Sequence, residues 1–130
     1  MIIMKREVIS TDKAPAAIGA YSQAVKAGDF VYISGQIPLN PEGELITGDV
    51  SEQTRQSLEN LKAILEESGS SLKDTVKVNI YASDMDDFGA INDVYSEYFT
   101  TEPPARAFVE VAGLPKDVDV EISAVAISRK

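Results

Sequence analysis

Pro104-Ala105-Arg106-Ala107-Phe108-Val109-Glu110-Val111 is followed, after a short gap, by Val120-Glu121-Ile122-Ser123-Ala124-Val125-Ala126-Ile127. Both stretches alternate with period two and are separated by a loop holding Gly113 and Pro115, so both read as strands. On the first, Ala107, Val109 and Val111 share one face, and Arg106, Phe108 and Glu110 the other. On the second, Val120, Ile122, Ala124 and Ala126 share a face opposite Glu121, Ser123, Val125 and Ile127. This pattern predicts Arg106 and Glu121 on the same side of an otherwise apolar sheet. An arginine there offers a planar fork of donors suited to a carboxylate. A nearby glutamate can accept a proton or orient a water. Charged residues in strands are ordinarily solvated or paired with each other, so these two strands alone do not establish a site.

Upstream, residues 22–27 and 30–34 are apolar runs joined by Gly28-Asp29. That dipeptide suits a two-residue type II′ turn with Gly first, and the segment reads as a hairpin. Residues 2–9 add an edge strand, and residues 36–48, with Pro38, Asn40-Pro41 and Glu42-Gly43, form a loop. Asp49 begins the first helix, with Glu52 as its capping-box partner. Thr54, Leu58, Leu61 and Leu65 form a helical stripe that stops at Gly69. Residues 75–81 alternate Val76, Val78 and Ile80 against Thr75, Lys77, Asn79 and Tyr81, the pattern of a strand. Ser83 or Asp84 caps a second helix whose first turn carries Asp86 and Asp87, which suits the helix dipole. Its stripe is Phe88, Ile91, Tyr95 and Tyr98 or Phe99, and Pro103-Pro104 forbid continuation.

The predicted order is β-β-β-α-β-α-β-β, an α+β fold. Two helices cannot cover both faces of so wide a sheet, and successive β-α-β crossovers put them on one side. Phe30, Tyr32, Phe108, Val125 and Ile127 are expected on the other face, where an uncovered apolar surface predicts association.

A chain of 130 residues is read as one domain, 1–130, long enough for a core. Met1-Ile2-Ile3-Met4-Lys5-Arg6 is too short for a signal peptide's apolar region, and no run approaches a membrane span. The expectation is a cytoplasmic protein with no membrane partner. Twelve basic against 21 acidic residues give a net charge of −9, and basic clusters occur only at Lys5-Arg6 and Arg129-Lys130. Nucleic acid is therefore an unfavoured partner. The chain has no Cys and no His. Thiolate nucleophiles, Ser-His-Asp catalysis and the His/Cys zinc deaminase site are excluded, and neither a metal nor a cofactor is expected.

Further segments complete a pattern. Ala14-Pro15-Ala16-Ala17-Ile18-Gly19-Ala20-Tyr21-Ser22-Gln23-Ala24, Ser34-Gly35-Gln36-Ile37-Pro38, Gln53-Thr54-Arg55-Gln56-Ser57-Leu58-Glu59-Asn60 and Asn92-Asp93-Val94-Tyr95 stand in order ahead of Pro104-Ala105-Arg106 and Val120-Glu121-Ile122. Together they resemble the Rid family, also called YjgF, the reactive intermediate deaminases. The resemblance runs from about Lys13 to Ser128. It implies a chorismate-mutase-like fold, a homotrimer and ligand clefts between subunits. The pattern alone predicts only that the chain is not a monomer.

The resemblance also implies roles. Arg106 would bind a substrate carboxylate, against a rival salt bridge to Glu110 or Glu121. Glu121 would position the attacking water, against a merely solvated carboxylate. Tyr21 would lie against the substrate rather than serve as a core aromatic. Asn92 stands mid-helix, where its amide competes with the backbone, which favours a functional role. Ser34 and Gly35 would bring backbone close to the ligand, against simple punctuation of a strand end. Two departures stand out: Phe108 replaces a frequent Cys, giving a larger pocket wall with its backbone N–H still available, and Ser123 replaces a frequent Glu. The implied activity is hydrolysis of 2-imino acids and their enamine tautomers, such as 2-aminoacrylate, to a 2-keto acid and ammonia. The rivals are a non-catalytic module binding small carboxylates or a regulatory partner, a ribonuclease or translation inhibitor, and a chorismate mutase. The charge and the missing His weigh against the ribonuclease.

Overall fold

A computed structural model describes residues 4–129. Six strands form one sheet: β1 (Arg6–Ile9), β2 (Ala24–Ala27), β3 (Phe30–Gln36), β4 (Thr75–Ala82), β5 (Ala105–Glu110) and β6 (Val120–Ile127). Two helices, α1 (Val50–Glu67) and α2 (Phe88–Tyr98), follow β3 and β4. The spatial order is β1-β2-β3-β6-β4-β5, antiparallel throughout except for β4 and β5. Both helices are therefore crossovers between parallel strands, and both pack on one face of the sheet.

Local chemistry sets the element ends. Asp49 Oδ1 accepts from Glu52 N at 3.0 Å, capping α1. At the other end Gly69 adopts φ +73°, and the Ser70 and Gly69 amides return to the Leu65 and Glu66 carbonyls. That is a Schellman ending. Ala27 opposes Phe30 across a two-residue turn in which Gly28 has φ +61° and Asp29 does not turn positive, as a type II′ turn requires. The expected edge strand appears as Arg6–Ile9; its Ile2 and Ile3 lie outside the described residues.

The core is the helix-side face. Val31, Ile33, Val78, Ile80, Val120 and Ile122 meet Leu58, Leu61, Ile64, Leu65 and Ile91, all buried. Each such side chain contributes about 1.5–3 kcal/mol on burial. The opposite face stays open: Phe30 and Tyr32 are 40% and 50% exposed, beside half-buried Val125 and Ile127.

Four expectations are corrected. Phe108 lies on the helix face, not the open one, because β5 pairs with β4 in the register Val78–Arg106 and Ile80–Phe108. Val76 is exposed while Thr75 is buried, because a bulge between Thr75 and Lys77 shifts the alternation. Ser34-Gly35 does not end a strand: β3 continues to buried Gln36, with one extra residue accommodated between Ile33 and Gln36. Phe88 leaves the buried stripe of α2, where Val94 takes a place, and turns its ring to Phe108 at 4.7 Å.

Candidate active site

The candidate residues fall into two groups on opposite faces of the sheet. Tyr21, Ser34, Gly35 and Glu121 line one cleft of about 600 Å³. Asn92, Arg106 and Phe108 gather around the start of β5, against α2. Arg106 aligns with Val78 on the helix side, whereas Glu121 aligns with Tyr81 on the open side. The expectation that Arg106 and Glu121 share a face is thus overturned. β4 lies between β5 and β6, so their relative phase is set by two long-range registers rather than by alternation within either strand.

Around Arg106 the sheet and α2 build a cation holder. Arg106 Nη1 donates to Asn92 Oδ1 at 2.8 Å. The guanidinium carbon lies 4.8 Å from the Tyr95 ring centroid, 5.7 Å from Phe108 and 5.8 Å from Phe88. Aromatic faces attract the cation and fix its plane. No carboxylate among the described residues is paired with it. Glu110, the expected rival, accepts from the Met85 amide instead at 2.7 Å. Arg106 therefore keeps donors for a ligand, and it lines a hollow of about 330 Å³ together with Asn92, Tyr95, Phe99 and Pro104. Asn92 acts here on the arginine, which explains its amide in mid-helix. The Tyr95 hydroxyl is buried without a hydrogen-bond partner, and burial raises its pKa against the opposing pull of Arg106.

Around Glu121 the bulge in β3 does the positioning. A Cβ on Gly35 would meet the Glu121 carboxylate, with the carboxyl carbon 2.7 Å away. Glycine is thus required so that the side chain can lie over the β3 backbone. Burial alone pushes the Glu121 carboxyl above the ordinary carboxylate value. Ser34 spends its hydroxyl on the Ser22 carbonyl at 2.6 Å, and its amide on Gln23 O at 2.9 Å. Tyr21 is half-exposed, and its hydroxyl accepts from the Ile18 amide at 3.3 Å. Lys116 reaches the same cleft from a turn in which Lys116 and Asp117 have φ +57° and +56°. Among the described residues, no group of three or more carboxylates is arranged to hold a metal ion. No helix among them is long and apolar enough to cross a membrane.

Both clusters, the bulge-held glutamate and the aromatic-walled arginine, lie within a family match over residues 11–128, described as endoribonuclease L-PSP. The chain belongs to that family, the YjgF/Rid family. A RutC family protein of Pyrococcus abyssi is 56% identical over 124 residues, covering 95% of this chain and 98% of that one. The 2-iminobutanoate/2-iminopropanoate deaminase of Salmonella typhimurium is 48% identical over 126 residues, covering 95% and 98%. The crystal structure of the Escherichia coli YjgF gene product superposes with a TM-score of 0.90 at 48% identity, covering 95% and 99%. The mixed sheet with two helices on one face is the chorismate-mutase-like fold of these YjgF/Rid proteins.

Sequence reasoning gave no role to three residues that shape the site of this YjgF/Rid protein. Gln23 is buried and ties the loop before it, accepting from Thr11 N at 2.7 Å and donating to the Thr11 and Pro15 carbonyls. Asn60, buried on α1, donates to Leu39 O at 2.8 Å and Ile37 O at 3.3 Å. An amide on the apolar stripe of α1 is the signal that could have found it. Lys116 carried no signal, since only the backbone brings it to the cleft.

Proposed function

We propose that this protein hydrolyses 2-imino acids to 2-keto acids and ammonia, at sites formed between neighbouring copies of a homotrimer. The observation that carries the reading is the Glu121 carboxylate, half-buried over Gly35 with its pKa raised by burial. A carboxylate poised nearer neutrality is a better general base than a solvated one. The kinship with a named imine deaminase supplies the reaction class. Because Arg106 and Glu121 face opposite ways in one chain, the two halves meet only when the Arg106 side of one copy abuts the open face of another. The exposed Phe30 and Tyr32 provide the apolar surface for that contact.

In this scheme Arg106 grips the substrate carboxylate through donors that Asn92 leaves free. The protonated imine carbon is already electrophilic. Glu121 takes a proton from water as its oxygen adds to that carbon, then returns the proton to nitrogen. The C–N bond breaks, the hydroxyl gives its proton to Glu121 as it becomes the keto oxygen, and that proton leaves with ammonia as ammonium. The family description also names an endoribonuclease. A net charge of −9 and the absence of His weigh against that reading here.

The test generates imines in situ from a panel of amino acids and follows keto acid release above the uncatalysed rate. The parent is expected to accelerate release. Arg106→Ala and Arg106→Lys should both lose most of it, since an ammonium cannot reproduce the fork. Glu121→Gln should lose about 10²–10⁴-fold in turnover, less whatever the background supplies, with pyruvate binding retained. Unchanged turnover in these variants overturns the assignment.

A further inference from the structure

Arg106 is a half-buried cation without an acidic partner. A charge drawn out of water is ordinarily compensated by a carboxylate. Among the described residues no carboxylate bridges Arg106, and three aromatic rings stand around its guanidinium carbon instead. Their centroids lie 4.8 Å away for Tyr95, 5.7 Å for Phe108 and 5.8 Å for Phe88. All three fall within the distance of about 6 Å at which a ring face attracts a cation.

The rings come from two elements and brace one another. Phe88 and Tyr95 stand two helical turns apart on α2 and share one of its faces. Phe108 projects from β5 to meet Phe88 at 4.7 Å with the planes tilted by 57°. Tyr95 is backed by Phe99 at 4.6 Å, and both are buried. Tilted pairs at these separations are the favoured geometry of aromatic side chains. All of these contacts lie within one chain, so they do not depend on how copies meet.

A ring differs from a carboxylate in the respect that matters here. It stabilises the cation through its quadrupole without neutralising it. A carboxylate bound to Arg106 would have to be displaced by the substrate's own. Asn92 Oδ1 takes one Nη1 donor, the rings hold the plane, and the remaining donors stay unspent. The long arginine stem is otherwise free among rotamers, and a fork fixed in advance loses less on binding.

We infer that Phe88 and Phe108 are positioning residues: they set the affinity for the substrate carboxylate through Arg106 and take no part in the step at Glu121. This rests on the deaminase reading, in which Arg106 grips that carboxylate.

The experiment measures pyruvate binding by calorimetry beside kcat and KM for in situ imines, with the mass of each intact assembly. Phe88→Leu and Phe108→Leu keep apolar bulk and remove the ring. Each should weaken pyruvate binding and raise KM by about 2- to 30-fold, the range that about 0.5–2 kcal/mol gives at 1.4 kcal/mol per tenfold. An unchanged kcat beside the raised KM marks binding lost equally from ground and transition states. Phe108→Tyr returns the ring face and should recover both affinity and KM. Parental binding and KM in both leucine variants overturn this inference and leave the deaminase reading in place. So do a fallen kcat at parental KM, a Phe108→Tyr as weak as Phe108→Leu, or loss of the parental mass in both leucine variants. A parent that turns over no imine overturns the deaminase reading. Weaker pyruvate binding in the leucine variants then still upholds the rings as holders of Arg106, and unweakened binding overturns both.

Discussion

Gly35 and Glu121 are best understood as one unit, because the space a side chain would take at position 35 is filled by the Glu121 carboxylate. Gly35 does not need a left-handed backbone, since its φ is not among the positive values of the chain. Its role is therefore room alone. Gly35→Ala should fold and assemble as the parent does, while the new methyl displaces the carboxylate from the bulge. A drop in turnover approaching that of Glu121→Gln, with keto acid binding at Arg106 preserved in calorimetry, is the expected result. Parental turnover would mean that the carboxylate acts from another position. The resemblance to the Rid family singled out Tyr21, Ser34, Gly35 and Glu121, and the four line one cleft. What each residue does was less legible: Asn92 bonds to Arg106, and only the α2–β5 packing reveals it.

Element ends and types follow from local chemistry, which is why Asp49, Gly28 and Gly69 announced them correctly. The relation between elements does not, and the error over Arg106 and Phe108 came from reading faces by alternation within each strand, when β4 stands between β5 and β6 and sets their phase. The bulge at Ser34-Gly35 was hidden for a similar reason, as it is defined only against β6. The first turn leading into α2 offers a third case. Asp86 and Asp87 were expected to suit the helix dipole, and Asp84 does cap the turn by accepting from Asp86 N at 2.9 Å. Asp87, however, has its pKa raised above 3.8, by burial first and then by Asp119, Asp84 and Asp86. The folded state therefore binds that proton more tightly than the unfolded chain. The associated stability is present below the unfolded value of 3.8 and is lost as pH rises through the folded value. At neutral pH the charge opposes folding, so Asp87→Asn should melt above the parent at pH 7. The difference should vanish below about pH 4, and added salt should shrink its Coulomb part, because the residue is mostly solvated. A lower melting temperature for Asp87→Asn at pH 7 would show that the dipole outweighs the acidic neighbours.

At the scale of the whole molecule, opposite-facing halves turn a question about assembly into one about catalysis. A single 14.0 kDa chain holds Arg106 on the helix face and Glu121 on the open face, and no side-chain motion carries one through the sheet to the other. A site completed between copies has a consequence that a site within one chain cannot have. In the proposed homotrimer, Arg106→Ala copies would lack every carboxylate grip and Glu121→Gln copies every base, so each variant alone should be nearly inactive. When the two variants are unfolded together and refolded at equal amounts, copies associate at random. A site needs an Arg106 from one neighbour and a Glu121 from the other, so about a quarter of the sites should regain both groups. Turnover of the mixture should therefore rise to about a quarter of the parent's, while the two variants refolded separately and then combined stay inactive. Mass measurement of the intact assemblies verifies that mixed trimers have formed. Mixed trimers without recovered turnover would mean that Arg106 and Glu121 do not serve one reacting centre, whatever the oligomeric state.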